Sequence, residues 1–377
     1  MKILLFANTD WYLYNFRLPL AKYLREKNLE VILVSPEGPY GPRLEEKGFR
    51  WIPIPMNRRS LNPWTEIKLL AFLTKLYARE KPDLVHHFTI KCVVYGSLAA
   101  CMAGIKSRVN AVTGLGHVFT NNTYQARFLR PFVSRLLRIA LQGPQSRLIL
   151  QNPDDSQAFI RAHLTSPQQI RLIRGSGVDT ERFQPLPQKA RKTSAVFRVL
   201  LATRLLWEKG VGEYIEAASI LKQRRQPIEF LLAGSPDLGN PASIPSEQIA
   251  AWEKEGIITA LGHVDDMKPI FHQVNLVVLP SYREGVPRSL LEAAACGLPI
   301  VTTDAPGCRE IVEHNVNGLL VPCRDAHALA KAIEFLWQNP PECKRMGIAG
   351  RAKVLTEFEQ KIVLQKTFEV YQELLHL

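Results

Sequence analysis

Short runs of apolar residues alternate with longer amphipathic segments along the chain. The first half contains KILLFAN, EVILVSP, PDLVHHF, SRVNAVTG and SRLILQN, and the second half contains FRVLLATR, IEFLLAG, GIITALG, NLVVLP and LPIVTTD. Segments such as LNPWTEIKLLAFLTKLYAREK and VGEYIEAASILKQRR have the length and periodicity of helices. Strands that alternate with helices in this way predict parallel sheets covered on both faces, and therefore an α/β fold.

The alternation occurs twice, and a polar segment that contains prolines, GVDTERFQPLPQKARKTSA, separates the two series. The length of 377 residues also favours two domains. We predict Rossmann-like domains over residues 1–180 and 195–356, a hinge near 178–195, and a terminal helix over 357–377. Ligands of open parallel sheets bind beyond the carboxyl ends of the strands. Two such sheets facing each other therefore predict a cleft.

Composition narrows the class of protein. Six widely spaced cysteines indicate neither a zinc site nor a redox motif, and they fit a reducing compartment. The N-terminal apolar run is too short for a signal peptide, and CVVYGSLAACMAGI falls short of the ~20 residues that span a bilayer. We expect a cytosolic protein, soluble or surface-bound. The net charge of +13 favours nucleic acid, an anionic lipid surface or a phosphorylated substrate, without choosing among them.

The segment SYREGVPRSLLEAAACG, residues 281–297, is the most informative in the chain. It follows the apolar run NLVVLP; Gly285 is expected to permit an unusual backbone turn, and Pro287 suits a first helical turn. A strand, a glycine turn and a helix N-terminus together make a site for phosphate. Glu284 at its mouth and Glu292 just over one turn inside would repel phosphate but accept hydrogen bonds from hydroxyls. The combination predicts a sugar nucleotide.

Two nucleotide fingerprints are missing from the sequence. Gly114 and Gly116 do not complete a dinucleotide motif, because Phe119 stands where the third glycine belongs, and the chain has no P-loop. These absences weigh against nucleotide redox chemistry and ATP hydrolysis. The chain also has no Asp-x-Asp motif, since its aspartate pairs at 154–155 and 265–266 are adjacent. We therefore expect no metal site.

These features resemble the retaining glycosyltransferases of family 4, which have the two-domain GT-B architecture. The matching pieces are TRLLWEKG (203–210), GHVDDM (262–267), the segment from Glu284 to Glu292, and GLPIVTTDAPGCREIVEHNVNGLLV after it. SGVDTERFQP resembles the family's linker. The pieces YNFRLPL, TIKCVVYGSLA and VTGLGHVF resemble the branch that adds hexoses or N-acetylhexosamines to undecaprenyl-diphosphate-linked sugars in bacterial glycan assembly.

The resemblance implies an activity and a location. It implies transfer from a UDP-sugar donor to a polyprenyl-diphosphate-linked sugar, with retention of the anomeric configuration and without a cofactor or metal. The two parallel sheets would face each other across a cleft, and the C-terminal helix would cross back to the first domain. The enzyme would be cytoplasmic and peripheral on the inner face of the plasma membrane.

The resemblance also assigns roles to individual residues. Arg204 and Lys209, just past a predicted strand end, would hold the donor diphosphate. Glu292 would accept hydrogen bonds from the ribose hydroxyls, and Glu284 would orient the transferred sugar. The expected donor-binding residues are Arg204, Lys209, Glu284, Gly285, Val286, Pro287, Arg288 and Glu292. The expected catalytic residues are Glu284, His117, Arg204 and Lys209.

Four further residues are candidates on the first domain. His117 follows the apolar run SRVNAV and would lie beside the donor sugar, where its pKa would suit a general base; a loop histidine bonded to backbone is the alternative. Asn15 and Arg17, expected in a loop after the first strand, and Lys91, which follows VHHF, would bind the acceptor. For Arg17 and Lys91 a structural role is the alternative.

The segment ARFLRPFVSRLLRIALQ predicts a basic amphipathic helix. Its apolar stripe comprises Phe132, Val133, Leu136, Leu137 and Ala140, and Arg127, Arg130, Arg135 and Arg138 fall largely elsewhere. Such a helix can lie on an anionic membrane surface, or it can pack its stripe on the sheet. The net positive charge favours the membrane.

Two other functions compete with sugar transfer. A GT-B-like UDP-N-acetylhexosamine 2-epimerase would need no acceptor. A non-catalytic basic module that binds nucleic acid or lipid would need a base-stacking or groove-reading motif. The sequence contains neither motif, so we expect no nucleic-acid partner.

Overall fold

The computed structural model describes residues 1–58, 60, 62–112, 124–186, 196–237 and 239–376; the side chains of 124–130 are not described. The chain divides into two compact units. The first comprises Met1–Ser176 with Val363–Leu377, and the second comprises Gly177–Ile362. Each unit contains one parallel sheet with helices packed on it. The predicted α/β class and the two parallel sheets are therefore confirmed.

The sheet of the first unit has seven parallel strands in the order β3-β2-β1-β4-β5-β6-β7. The strands are β1 (Lys2–Phe6), β2 (Glu30–Pro36), β3 (Arg50–Ile54), β4 (Leu84–Phe88), β5 (Ser107–Val112), β6 (Ser146–Leu150) and β7 (Ile170–Leu172). The helices are α1 (Asp10–Tyr12), α2 (Leu18–Glu26), α3 (Gly41–Glu46), α4 (Pro63–Glu80), α5 (Ile90–Met102), α6 (Tyr124–Leu141) and α7 (Pro153–Arg161).

The sheet of the second unit has six parallel strands in the order β10-β9-β8-β11-β12-β13. The strands are β8 (Phe197–Ala202), β9 (Ile228–Ala233), β10 (Thr259–Gly262), β11 (Leu276–Leu279), β12 (Ile300–Thr303) and β13 (Leu319–Val321). The helices are α8 (Val211–Gln223), α9 (Ser246–Lys254), α10 (Lys268–Phe271), α11 (Arg288–Ala295), α12 (Ala326–Gln338), α13 (Pro340–Lys353) and α14 (Gln360–Leu375), whose larger part belongs to the first unit.

The central strand β1 shows why its sequence is apolar at every position. Ile3 and Leu5 pack in one hydrophobic cluster of the first unit, while Leu4 and Phe6 pack in another on the opposite face. Successive side chains of a strand point to opposite faces, so a strand covered on both sides needs no polar alternation. In register, Leu4 lies opposite Ile32 of β2 and Val85 of β4.

Helix α14 completes the first unit after the chain has built the second. Val363, Val370, Tyr371 and Leu374 join the same hydrophobic cluster as Ile3, and all four are buried. The Tyr371 hydroxyl lies 2.5 Å from Nδ1 of His86 on β4. The C-terminal helix thus crosses back to the first unit, as the resemblance implied.

The expected hinge near residues 178–195 differs from the observed crossing points. The chain passes between units at 176–177 and again at 362–363. Val178 and Phe183 are buried in the core of the second unit, and the Val178 amide donates to the Phe358 carbonyl at 3.0 Å. Residues 178–186 are therefore folded parts of the second unit, because apolar side chains within a polar segment still find a core. The expected boundaries at 180 and 356 lie a few residues from the observed ones, and residues 187–195 lie outside the described residues.

Candidate active site

The carboxyl ends of β8 and β11 lie side by side in the second sheet. The chain runs from β8 to β9 on one side, whereas β11 leads to β12 on the other. The connections diverge at this topological switch point, which is where open α/β sheets bind ligands. Lys209 follows β8 and Glu284 follows β11, and Lys209 Nζ lies 2.6 Å from Glu284 Oε1. The fold therefore joins two expected site residues that are far apart in sequence.

The ion pair between Lys209 and Glu284 is largely shielded from solvent. The two side chains are 10% and 15% exposed. Ser281, which is fully buried, donates from its Oγ to the same Glu284 oxygen at 2.8 Å. Glu284 is thus fixed by one cation and one hydroxyl. The sequence interpretation missed Ser281, whose only signal is a hydroxyl at the end of an apolar run.

Gly210 allows the Lys209 segment to approach the end of β11 closely. Its φ is +72°, and a Cβ at this position would lie 2.1 Å from the Pro280 carbonyl oxygen. The Tyr282 amide donates to the Glu208 carbonyl at 3.0 Å, which ties the two segments together. Only glycine satisfies both the left-handed backbone and the backbone contact.

We expect Gly210→Ala to disturb the pair formed by Lys209 and Glu284. The left-handed backbone alone costs about 1–3 kcal/mol for a non-glycine residue, and the overlap with Pro280 forces the two segments apart. Gly262→Ala is the matched control, because Gly262 has φ +63° but nothing within 4 Å of its added Cβ. Thermal unfolding and turnover of both variants measure the difference. Equal losses in the two variants would contradict a specific role for the close approach.

The backbone at Glu284 and Gly285 is shaped by the loop after β12. Gly285 is not among the described glycines with positive φ, so the expected unusual turn there is wrong. The positive φ, +83°, occurs at Gly307, where a Cβ would lie 2.3 Å from the Gly285 carbonyl oxygen. The Glu284 amide donates to the Pro306 carbonyl at 3.0 Å. The left-handed backbone conformation therefore occurs in the neighbouring loop, at Gly307.

Helix α11 carries the second carboxylate of the motif. The helix starts at Arg288, directly after Pro287, and Val286 packs partly buried against the core of the second unit. Arg288 Nε donates to Glu292 Oε1 at 2.7 Å, one turn along the same helix face. The Glu292 side chain is only 9% exposed. Burial raises the pKa of Glu292, and the Arg288 guanidinium opposes that rise.

Arg204 is held more loosely than Lys209. It lies two residues past β8, its side chain is 59% exposed, and its Nη1 is 3.3 Å from Asp237 Oδ2. Such an exposed pair contributes little to stability. The guanidinium can therefore reach a ligand at the strand end without breaking a buried contact. In the part of the chain that the structure describes, no group of three or more His, Cys, Asp or Glu side chains could hold a metal ion.

Asn15 and Arg17 lie in helical structure rather than in the expected loop. They belong to a π-helical turn, Leu13–Arg17, between α1 and α2. The side-chain amide of Asn15 donates from Nδ2 to the Trp11 carbonyl at 3.0 Å. The Thr9 hydroxyl accepts from the Tyr12 amide and caps α1. A side-chain cap thus starts the helix.

Arg17 points into the first unit at the switch point between β1 and β4. Only 8% of the residue is exposed; its guanidinium lies 4.2 Å from the Phe88 ring centroid and donates to the Tyr12 hydroxyl at 2.6 Å. Arg17 and His86 line a cavity of about 10 Å³, and neither Arg17 Nε nor His86 Nε2 has a hydrogen-bond partner among the described residues. Burial lowers the pKa of His86, and the charge of Arg17 acts in the same direction.

Lys91 is occupied by its own unit. Its ammonium donates to the carbonyls of Asn57 and Ser60 and to Glu66 Oε1, at 2.7, 3.0 and 2.7 Å. These acceptors match the three donors of an ammonium group. Lys91 therefore fixes the segment that precedes α4 at the carboxyl edge of the sheet.

Two sequence candidates remain, His117 and the predicted basic amphipathic helix, which is α6. His117 lies outside the described residues. On α6, Leu137, Ala140 and Leu141 are buried in the first unit, whereas Phe132 is 63% exposed. Val133 and Leu136 are partly buried against the same cluster as Leu137, so the predicted stripe packs in the first unit and only Phe132 of its five residues is exposed.

Comparison with known families identifies the class of protein. The family model "Glycosyl transferase 4-like" matches residues 2–152, and "Glycosyl transferases group 1" matches residues 183–353. The two models together span most of the chain, so the protein belongs to the glycosyltransferases.

Individual relatives align over most of their length. The "N,N'-diacetylbacillosaminyl-diphospho-undecaprenol alpha-1,3-N-acetylgalactosaminyltransferase" of Campylobacter jejuni is 28% identical, over 100% of this chain and 99% of that protein. The "UDP-Gal:alpha-D-GlcNAc-diphosphoundecaprenol alpha-1,3-galactosyltransferase" of Escherichia coli is 27% identical, over 82% of this chain and 80% of that protein.

Solved structures share the fold. Anabaena HepE in complex with UDP-glucose superposes with a TM-score of 0.78 at 22% identity, and covers 100% of both chains. The sucrose-phosphate synthase of Thermosynechococcus elongatus gives 0.80 at 19% identity, again over 100% of both chains. The GT-B fold class implied by the sequence is confirmed.

Proposed function

We propose that this glycosyltransferase moves a sugar, most simply an N-acetylhexosamine, from a UDP-sugar to a lipid-diphosphate-linked sugar in bacterial glycan assembly. The observation that carries the proposal is the shielded pair of Lys209 and Glu284 at the switch point of the second sheet. A cation for phosphate and a carboxylate for hydroxyls stand together there, as a nucleotide sugar requires. The printed activities of the Campylobacter and Escherichia relatives support the acceptor class.

In this proposal the second unit binds the donor. Lys209, Arg204 and the amides at the start of α11, from Gly285 through Val286 and Pro287 to Arg288, hold the diphosphate. Glu292 accepts hydrogen bonds from the ribose, and Glu284 accepts them from the transferred sugar. Cations aimed at a leaving group stabilise the charge that grows on it in the transition state. Because Ser281 and Lys209 already position Glu284, its carboxylate needs little reorganisation when the sugar arrives.

The proposed chemistry retains the anomeric configuration. As the bond between the sugar and the diphosphate breaks, the acceptor hydroxyl attacks from the same face, and a leaving phosphate oxygen takes its proton. His117 is the alternative base. Retention is testable by the anomeric configuration of the product.

The acceptor is proposed to bind at the carboxyl edge of the first sheet. Asn15 is half-buried, whereas Arg17 is buried and Lys91 is held by three protein acceptors. We therefore assign Asn15 to acceptor contact, and we assign Arg17 and Lys91 to shaping that edge from within. No helix among the described residues is long and apolar enough to cross a bilayer. We place the enzyme peripherally on the inner face of the plasma membrane, where a lipid-linked acceptor is available.

Activity should survive removal of divalent metal. In the proposal two side-chain cations and a helix N-terminus neutralise the departing diphosphate, which is the task a metal performs in other transferases. The measurement is UDP release in EDTA-treated enzyme. A loss of activity that added magnesium restores would contradict the assignment.

A panel of UDP-sugars with synthetic polyprenyl-diphosphate sugars tests the proposed function. We expect one UDP-N-acetylhexosamine to release UDP only when a lipid-diphosphate sugar is present, with a new glycosidic linkage in the product. Arg204→Ala should greatly reduce that transfer. The family match does not support the 2-epimerase alternative, which would interconvert UDP-N-acetylhexosamines without any acceptor. Such turnover in the absence of acceptor would overturn the proposal.

A further inference from the structure

One face of α4 is exposed, apolar and basic at once. Trp64 is 75% exposed, Ile67 58% and Phe72 37%, and Lys68 and Lys75 are exposed between them. With 3.6 residues per turn, these positions fall on one side of the helix. We call this surface, made of Trp64, Ile67, Lys68, Ala71, Phe72 and Lys75, the α4 face.

The opposite side of α4 packs in the first unit. Leu69, Leu73, Leu76 and Tyr77 are buried in the hydrophobic cluster that also contains Leu4 of β1. The helix therefore has two apolar sides, only one of which the fold uses. Large apolar side chains clustered on an exposed helix face mark an interaction surface.

The charges of the α4 face select its partner. The two acids of the helix, Glu66 and Glu80, are buried, and they pair with Lys91 and with Arg50 and Arg79. Lys68 and Lys75 form no ion pair with any residue that the structure describes. A face of lysine and aromatic side chains without exposed acids complements an anionic lipid surface.

The α4 face begins where the proposed acceptor edge lies. Lys91, in the first turn of α5 after β4, holds the carbonyls of Asn57 and Ser60 and the carboxylate of Glu66 in the first turn of α4. Trp64 and Ile67 are thus near the carboxyl edge of the first sheet. From Trp64 to Lys75 the face extends over about 16 Å, at 1.5 Å per residue.

We propose that the α4 face docks the enzyme on an anionic phospholipid bilayer, with Trp64, Ile67 and Phe72 inserted at the interface and Lys68 and Lys75 facing the headgroups. The proposal rests on the proposed function, which supplies the reason for docking: a lipid-linked acceptor must be reached from the membrane surface. It differs from the sequence expectation, which placed membrane contact on α6. On that helix, Arg138 donates to the carbonyl of His163 and Leu137 is buried.

Co-sedimentation of the full chain with vesicles tests the α4 face directly. We expect binding to phosphatidylglycerol-containing vesicles and weak binding to phosphatidylcholine alone. The double variant Trp64→Ser/Ile67→Ser should lower the partition coefficient at least about tenfold, because apolar burial sets interfacial affinity. Lys68→Gln and Lys75→Gln should each lower it about fivefold, on anionic vesicles only.

Two matched controls remove exposed apolar side chains elsewhere. Ile348→Ser acts on α13 of the second unit, where Ile348 is 61% exposed, and Phe132→Ser acts on α6. We expect both to bind vesicles like the wild type. Loss of binding in Phe132→Ser with retention in the Trp64→Ser/Ile67→Ser variant would overturn the proposal in favour of α6. A changed oligomeric state of the α4 variant, with unchanged vesicle binding, would overturn it in favour of a protein interface.

Transfer assays separate this proposal from the proposed function. With a short-chain, water-soluble diphosphate-sugar acceptor, the α4 variants should transfer at the wild-type rate; with the same sugar on a vesicle-embedded polyprenyl diphosphate they should be slower. A wild type that binds vesicles through α4 but transfers to no acceptor would sink the proposed function alone. If the wild type transfers sugar to the acceptor while the α4 variants still bind vesicles fully, the α4 proposal alone is contradicted.

Discussion

Lys209→Ala should lower kcat by about 10²–10³-fold, the cost of removing one donor that stabilises a developing negative charge. Lys209 is the most shielded cation at the switch point, and its ammonium lies 2.6 Å from Glu284. Its charge therefore acts in a site of low dielectric, where it is worth more than in water. Steady-state release of UDP measures the loss.

The same substitution should also destabilise the second unit, because Glu284 would be left shielded without its cation. Breaking a buried pair typically costs about 3–5 kcal/mol. Adding Glu284→Gln to Lys209→Ala should recover stability but not activity. Lys222→Ala is the control, since the Lys222 ammonium likewise donates within the second unit, to the carbonyls of Glu255 and Gly256, but lies away from the switch point. If the double variant regained turnover, Lys209 would act only through Glu284.

The first unit should lose stability as the pH falls from about 6.5 towards 4, because of His87. Burial lowers the pKa of His87 from 6.5 to about 4; the hydrogen bond to Asn110 opposes this shift and the charge of Arg108 adds to it. His87 Nδ1 lies 2.8 Å from Asn110 Oδ1, and Nε2 lies 3.2 Å from the Tyr77 hydroxyl. The neutral ring thus has a hydrogen-bond partner at both nitrogens, and burial is the main cost of charging it.

The direction of this change in stability with pH follows from which state, folded or unfolded, binds the proton. Above pH 6.5 the ring is neutral in both states; between 6.5 and 4 the unfolded chain binds a proton that the folded chain does not, so the free energy of unfolding falls. The total loss is about 3 kcal/mol, at 1.36 kcal/mol per pKa unit. His86 contributes in the same direction.

Denaturant unfolding at pH 7 and pH 5 measures this effect. His87→Gln should flatten the dependence of the unfolding free energy on pH. His163 is exposed, so His163→Gln should leave the dependence of the unfolding free energy on pH unchanged. An identical pH dependence in wild type and His87→Gln would show that the acid sensitivity arises elsewhere.

The sequence predicted most of the fold because buried parallel strands are apolar at nearly every position. NLVVLP contains β11, and all four residues of that strand are buried. The motif from Glu284 to Glu292 likewise predicted α11 starting next to Pro287. Both signals are local, and each is contained within a few residues.

Other parts of the site depend on which strands become neighbours. Lys209 and Glu284 are 75 positions apart and meet only because β8 lies beside β11. The demand for a positive φ at Gly307 rather than Gly285 arises from a neighbouring loop. Arg17 likewise turns inward because Phe88, 71 residues later, supplies a ring to stack on. Local patterns carry no information on such contacts.

The return of α14 to the first unit has a consequence for synthesis. Residues 177–362 are complete, and can fold, before residues 363–377 have left the ribosome. Until Val370, Tyr371 and Leu374 arrive, the hydrophobic cluster of the first unit that contains Ile3 and Leu84 lacks part of its cover. The unit whose translation begins first is therefore completed last.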